Sequence, residues 1–123
     1  MDKTAEDLKT RTKRFAVKIL EFVDTLSRAP SGDTIARQLA RAGTGVAGNY
    51  RSACRARSHA EFTARMGIVL DESDESELWL DVSNERKWGD ASLRDWLLKE
   101  ARELRAIFSA GYQTARAKEK QPR

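Results

Sequence analysis

A chain of 123 residues has the length of one ordinary domain. Hydrophobic residues make up 40% and charged residues 34%, enough for a core beneath a heavily charged surface, which argues against both a membrane protein and intrinsic disorder. No stretch approaches the ~20 consecutive apolar residues of a spanning helix, and the opening Met1-Asp2-Lys3-Thr4-Ala5-Glu6-Asp7 lacks the apolar run of a secretion signal. Cys54 stands alone, which excludes an internal disulfide and suits a reducing, cytoplasmic compartment.

Only Pro30 and Pro122 interrupt the chain, so long helices are permitted between them, and the two-residue alternation of strands is missing. In the first segment Leu8, Phe15, Ile19, Phe22 and Leu26 fall on one helical stripe, with Lys9, Lys13, Lys18 and Glu21 outside it. Ser27-Arg28-Ala29-Pro30-Ser31-Gly32 breaks that helix. A second stripe follows at Ile35, Leu39, Ala42, Val46, Asn49 or Tyr50, and Ala53, stopping near Arg55-Ala56-Arg57. Ser58 with Glu61 three residues later is a capping box for a third helix, whose inward face is Phe62, Met66, Val69, Ser73, Ser76 and Leu80. Asn84 to Gly89 supplies the next stop. Asp90 caps a fourth helix that buries Leu93, Leu97, Ala101, Leu104, Ile107 and Phe108.

Four helices of roughly 22–28 residues span about 33–42 Å each. Short connections make sequential neighbours antiparallel, so the expected architecture is all-α, an up-down-up-down four-helix bundle over residues 1–117. Residues 118–123 are expected to form a solvated, disordered tail.

Charge is uneven. Residues 1–57 carry 12 basic and 6 acidic side chains, residues 58–89 carry 3 and 8, and residues 90–123 carry 8 and 5. The acidic excess is concentrated in Asp71-Glu72-Ser73-Asp74-Glu75-Ser76-Glu77, where carboxylates repel unless cations or water screen them. Arg41, Arg51 or Arg55 of the adjacent helix are candidate counter-charges. The ordinary reading is a solvated face with ion pairs; the sharper one is an acidic strip that binds another subunit or a partner.

Gly43-Thr44-Gly45-Val46-Ala47-Gly48 matches the G-x-G-x-x-G dinucleotide fingerprint in letters, but the fingerprint works only between a strand and a helix N-terminus. Here the preceding residues read as helix. Ala36, Ala40, Gly43 and Ala47 instead form a small-residue stripe suited to close helix approach, which would compensate the ~0.8–1 kcal/mol that each helical glycine costs. A carboxylate-bridged dimetal site needs Glu-x-x-His pairs, and the single histidine, His59, is in none. The acidic run lacks the glycine of an EF-hand loop. His59 reads as an exposed first-turn residue, and Cys54 as a small buried or interface residue rather than a nucleophile. Trp79, Trp88 and Trp96 fit either wide-core packing or burial against other subunits.

The stretch from Arg37 to Tyr50 resembles the second-helix motif of a bacterial four-helix-bundle family that includes proteins encoded in 23S rRNA intervening sequences. That motif runs Gln-Leu-Arg-Arg-Ala-Ala-x-Ser-Ile-x-x-Asn-Ile; Gln38, Leu39, Arg41, Ala42, Val46 and Asn49 agree with it in type and place. Ser58, Glu61 and Phe62 match the family's Lys-Ser-x-x-Glu-Phe helix start, and Glu75, Glu77 and Leu80 its Ser-Glu-Leu-Glu-x-x-Leu segment. The similarity covers roughly residues 8–112. Ser52-Ala53 departs from the usual Glu-Gly, as do the glycines at 43, 45 and 48. The resemblance implies an antiparallel bundle assembled as a ring-like homopentamer, with no catalytic residues. Similar proteins act beside reverse transcriptases in diversity-generating retroelements, where a basic pentamer contacts nucleic acid and the polymerase.

The resulting expectation is a non-enzymatic, cytoplasmic homo-oligomer without cofactor or metal that binds RNA, DNA, or a nucleic-acid enzyme such as a reverse transcriptase. Its candidate phosphate contacts are Arg11, Lys13, Arg14, Lys18, Arg37, Arg41, Arg51, Arg55, Arg57, Arg102 and Arg105. The alternative is a self-assembling scaffold with protein partners only, in which basic and acidic regions of neighbouring subunits satisfy each other. Asn49, on the inward stripe, is expected to hydrogen-bond Glu75 or Glu77 as a structural lock.

Overall fold

A computed structural model describes residues 3–119. Four helices account for almost all of them: α1 (Lys3–Val23), α2 (Pro30–Cys54), α3 (His59–Glu85) and α4 (Ala91–Glu119). Among the described residues there is no strand, and no helix is long and apolar enough to cross a membrane. The fourth helix continues through Lys118 and Glu119, two residues into the segment expected as a tail; Lys120 to Arg123 lie outside the described residues.

Cross-helix contacts fix the register. Gly43 of α2 meets Ile19 of α1, and Gly32 meets Ser27 in the connection between the two helices. Arg41 reaches Glu75 of α3, while Gly45 meets Glu72. Glu77 of α3 pairs with Arg102 and Arg105 of α4, and Gly67 meets Tyr112. Arg11 of α1 pairs with Glu100 of α4, and Thr25 accepts a hydrogen bond from the Asp90 amide. In every pair, rising numbers on one helix meet falling numbers on its neighbour, so each seam is antiparallel. Each helix packs on two others, α1 on α2 and α4, and α3 on α2 and α4. The outward faces of α1 and α3 therefore occupy diagonally opposite corners.

The core follows the apolar stripes. Phe15, Ile19, Phe22, Leu39, Val46, Val69, Leu80, Leu97, Leu104 and Phe108 are fully buried, and the Tyr50 and Phe108 rings meet across the diagonal with centroids 5.4 Å apart. Leu8, Phe62, Leu93 and Ile107 are only partly buried at its margin. Helix α3 is unusual in composition. Its buried line includes Thr63, Ser73, Ser76 and Ser83, whose hydroxyls donate to the carbonyls four residues earlier at 2.8–3.0 Å, which satisfies them without any cross-helix partner. Large apolar Ile68 and Leu78 of the same helix face outward.

The glycine cluster is helical, and its members meet different surroundings. A Cβ on Gly43 would stand 2.7 Å from Ile19, so α1 and α2 approach there more closely than alanine allows. A Cβ on Gly45 would touch the Glu72 carboxyl at 3.1 Å, whereas Gly48 has nothing within 4 Å. The fingerprint match thus reflects helix packing at two positions and no evident contact at the third.

The connections are closed by local hydrogen bonds. Ser58 Oγ accepts from the Glu61 amide at 3.0 Å, as the capping box requires, but the Glu61 carboxylate takes the Arg57 amide (2.9 Å) rather than that of Ser58. At the end of α3 the amides of Trp88 and Lys87 donate to the carbonyls of Ser83 and Asn84 with Lys87 at φ 57°, a Schellman closure that ordinarily uses glycine. Gly89 follows at φ 73°, pressed against the Phe22 ring, and Asp90 caps α4 by accepting from the Leu93 amide. The buried guanidinium of Arg94 holds this turn, donating to Asn84 Oδ1 at 3.1 Å and to the Trp88 carbonyl at 2.7 Å.

Candidate nucleic-acid interface

The eleven basic residues singled out from sequence do not form one surface. Along the α1–α4 seam Arg11 grips Glu100 with two hydrogen bonds of 2.8 and 2.7 Å and lies 3.5 Å from Glu103. The bond to Glu100 raises the Arg11 pKa further, so this charge is permanent and already compensated. Arg14 and Lys18 lie 5.3 and 5.9 Å from the centroid of the Trp96 ring, and Lys18 also lies 3.8 Å from Glu21. That seam is joined by charged and cation–π contacts, since few backbone positions of α1 and α4 come close.

The acidic run is neutralised from both sides. Arg41 of α2 bonds Glu75 and lies 3.6 Å from Glu72; from α4, Arg105 bonds Glu77, while Arg102 lies 3.4 Å from Glu77 and 4.0 Å from Asp81. The bond to Glu77 raises the Arg105 pKa. Of the proposed counter-charges only Arg41 serves; Arg51 and Arg55 lie several turns further along α2. Glu72 is the exception to good pairing. Its Oε2 is buried without a hydrogen-bond partner, and burial pushes its carboxyl above the usual carboxylate range despite the attraction of Arg41.

The expected lock between Asn49 and Glu75 or Glu77 does not form. Asn49 Nδ2 donates to the Gly45 carbonyl at 2.9 Å within its own helix. The register explains this: Gly45 lies level with Glu72, so Asn49 lies level with α3 residues near 68, about 10 Å along the axis from Glu75 at ~1.5 Å per residue. Glu75 instead accepts from Arg41 and from Trp79 Nε1.

Once these pairs are removed, and with exposed Arg37 3.1 Å from Asp33, the remaining candidates are Lys13, Arg51, Arg55 and Arg57. Among the described residues none of these four has an ion-pair partner, and all are exposed. Arg51 lies in the last turn of α2, Arg55 is the residue that ends the helix, and Arg57 follows in the turn to α3. The negative end of the α2 dipole favours cations there.

The same end of the bundle holds residues that sequence reading did not select. His59, exposed on the first turn of α3, places Nε2 2.9 Å from the Ala115 carbonyl, which brings the last turns of α4 alongside, with Arg116 and Lys118 exposed. Arg65 places Nε 3.2 Å from Glu61 Oε1. The Arg57 amide, followed by Arg65, draws the Glu61 carboxyl below its usual range, so it stays ionised and holds both in place. The four-residue spacing from Glu61 to Arg65 was the available sequence signal. Cys54 is partly buried and unbonded, beside Tyr50 and Phe62. Among the described residues no group of three or more His, Cys, Asp or Glu is placed to hold a metal.

Comparison with known proteins accords with this architecture. A protein of unknown function from the S23 ribosomal protein family of Bacteroides thetaiotaomicron VPI-5482 has a similar crystal structure, with a TM-score of 0.77 and 24% identity over 85% of this chain and 97% of that one. At that identity the likeness establishes the fold alone. No curated protein matches the chain. The family model described as 23S rRNA-intervening sequence protein matches residues 6–110, nearly the whole bundle, and the chain belongs to that family.

Proposed function

We propose that this protein is a non-enzymatic homo-oligomer that binds nucleic acid through the basic end of its bundle. The observation that carries the reading is the contrast among cations. Of the eleven candidate cations, seven are bonded to carboxylates of the same chain or lie over Trp96, while Arg51, Arg55 and Arg57, close in sequence at one end of the bundle, are exposed and, among the described residues, without such partners. Cations that are already paired gain little from a phosphate, whereas unpaired exposed ones release counterions when they bind it.

Self-association is supported by exposed apolar residues on two different faces. Val17 (48% exposed) and Leu20 (45%) lie on the outside of α1, and Ile68 (43%) and Leu78 (51%) on the outside of α3, at the opposite corner. Two unlike faces that meet head to tail build a ring or a filament. A ring-like homopentamer in the cytoplasm, acting beside a reverse transcriptase or another nucleic-acid enzyme, is the form proposed from the family resemblance. The scaffold alternative is less well supported, because Glu72, Glu75 and Glu77 already meet arginines of their own chain.

The test is the double charge reversal Arg51→Glu/Arg55→Glu, examined by light scattering and by retention of single-stranded RNA and duplex DNA. An unchanged mass with lost retention supports the proposal. For duplex DNA, the wild-type affinity should fall with a log–log salt slope of about −3 if three phosphates are neutralised. Loss of assembly by the variant, or wild-type binding indifferent to salt, overturns it in favour of the scaffold.

A further inference from the structure

The α2–α3 turn borders an open polar depression of about 380 Å³ lined by Ser52, Arg55, Arg57, Glu61 and Arg65. We infer that this pocket receives a terminal phosphate monoester of a nucleic acid, an end rather than an internal linkage. The inference rests on the nucleic-acid reading above and specifies its ligand.

Charge favours an end. Three arginines and one glutamate line the pocket, and the Glu61 carboxylate is committed to its wall, accepting from the Arg57 amide at 2.9 Å and from Arg65 Nε at 3.2 Å. The pocket's net charge of about +2 complements a monoester, which carries about −1.5 to −2 at neutral pH, better than an internal diester with a single charge. Arginine's planar fork also suits a phosphate with three free oxygens, and the Ser52 hydroxyl adds a donor.

The experiment compares one fluorescent single-stranded oligonucleotide in three forms, with a 5′-phosphate, a 3′-phosphate, or hydroxyls at both ends, by anisotropy against the full chain at one salt concentration. One or both phosphorylated forms should bind about tenfold tighter than the hydroxyl form, the worth of one or two charge-assisted hydrogen bonds. Which form gains identifies the end. Arg65→Gln and Ser52→Ala should erase that advantage, so that the three forms bind each variant equally, with helicity unchanged. Equal affinity for all three forms refutes the terminal site and leaves the nucleic-acid reading standing. A terminal advantage that survives Arg65→Gln and Ser52→Ala also refutes it, because the end is then read elsewhere. Absence of binding by every form at low salt refutes both.

Discussion

Alanine substitution should stabilise the protein at Gly48 but not at Gly43, although both glycines lie in the same helix and belong to the same apparent motif. Each substitution gains ~0.8–1 kcal/mol of helix propensity. At Gly48 nothing lies within 4 Å of the new methyl, so the gain is unopposed and the variant should be about 1 kcal/mol more stable. At Gly43 the methyl would stand 2.7 and 2.8 Å from the two γ-carbons of Ile19, where carbons normally rest ~3.5–4 Å apart. Ile19 is fully buried and, being β-branched, has little rotamer freedom with which to yield. Overpacking of this kind costs ~1–3 kcal/mol, so Gly43→Ala should fall between neutral and about 2 kcal/mol destabilised. Urea denaturation followed by circular dichroism, at equal protein concentration so that association contributes equally, measures both variants. Ile19→Ala should cost less in the Gly43→Ala background than in the wild type, a coupling between contacting residues. If Gly43→Ala proves as stabilising as Gly48→Ala, the α1–α2 approach is not set at this glycine and the packing account fails.

Other expectations follow from single side chains. The folded Glu72 carboxyl retains its proton to higher pH than the unfolded one, so its contribution to stability declines as pH rises from the ordinary carboxylate range through its raised value. Glu72→Gln should therefore be more stable than wild type at neutral pH, with the difference closing below the ordinary range; a variant less stable at neutral pH would mean that the attraction of Arg41 dominates. Arg94→Met leaves the Trp88 carbonyl and Asn84 without their charged donor and should cost about 2–4 kcal/mol in urea unfolding. Lys87→Gly relieves a left-handed backbone conformation and should raise stability by up to about 1 kcal/mol, seen as a higher melting temperature with unchanged helicity.

The candidate site was partly legible. The capping pair Ser58 and Glu61 marked the turn beside which Arg55 and Arg57 stand exposed, because a cap is a local hydrogen bond written in adjacent residues. The phosphate candidates were too many, because arginine's chemistry is the same whether it faces water or a carboxylate on another helix. Arg11 meets Glu100 and Arg105 meets Glu77 across 89 and 28 positions of sequence, and no local pattern records such meetings. Arg65 was passed over although its spacing from Glu61 was visible. The Asn49 lock failed for the same reason in reverse: both groups were placed on plausible stripes, but the axial offset between two helices cannot be read from either one.

The sequence by itself determined the four helices, the N-terminal caps of α3 and α4 and the inward stripes, since helical periodicity, proline placement and capping are properties of neighbours in the chain. It also placed Ser73 and Ser76 inside, because position on the stripe governs burial and a serine can satisfy itself on its own helix. Only the tertiary structure decided which cations are spent on carboxylates, which glycine touches Ile19 and which touches nothing, and that Arg94 anchors the last turn. Those outcomes depend on the lateral register and spacing of packed helices, which arise from the summed fit of many side chains at once.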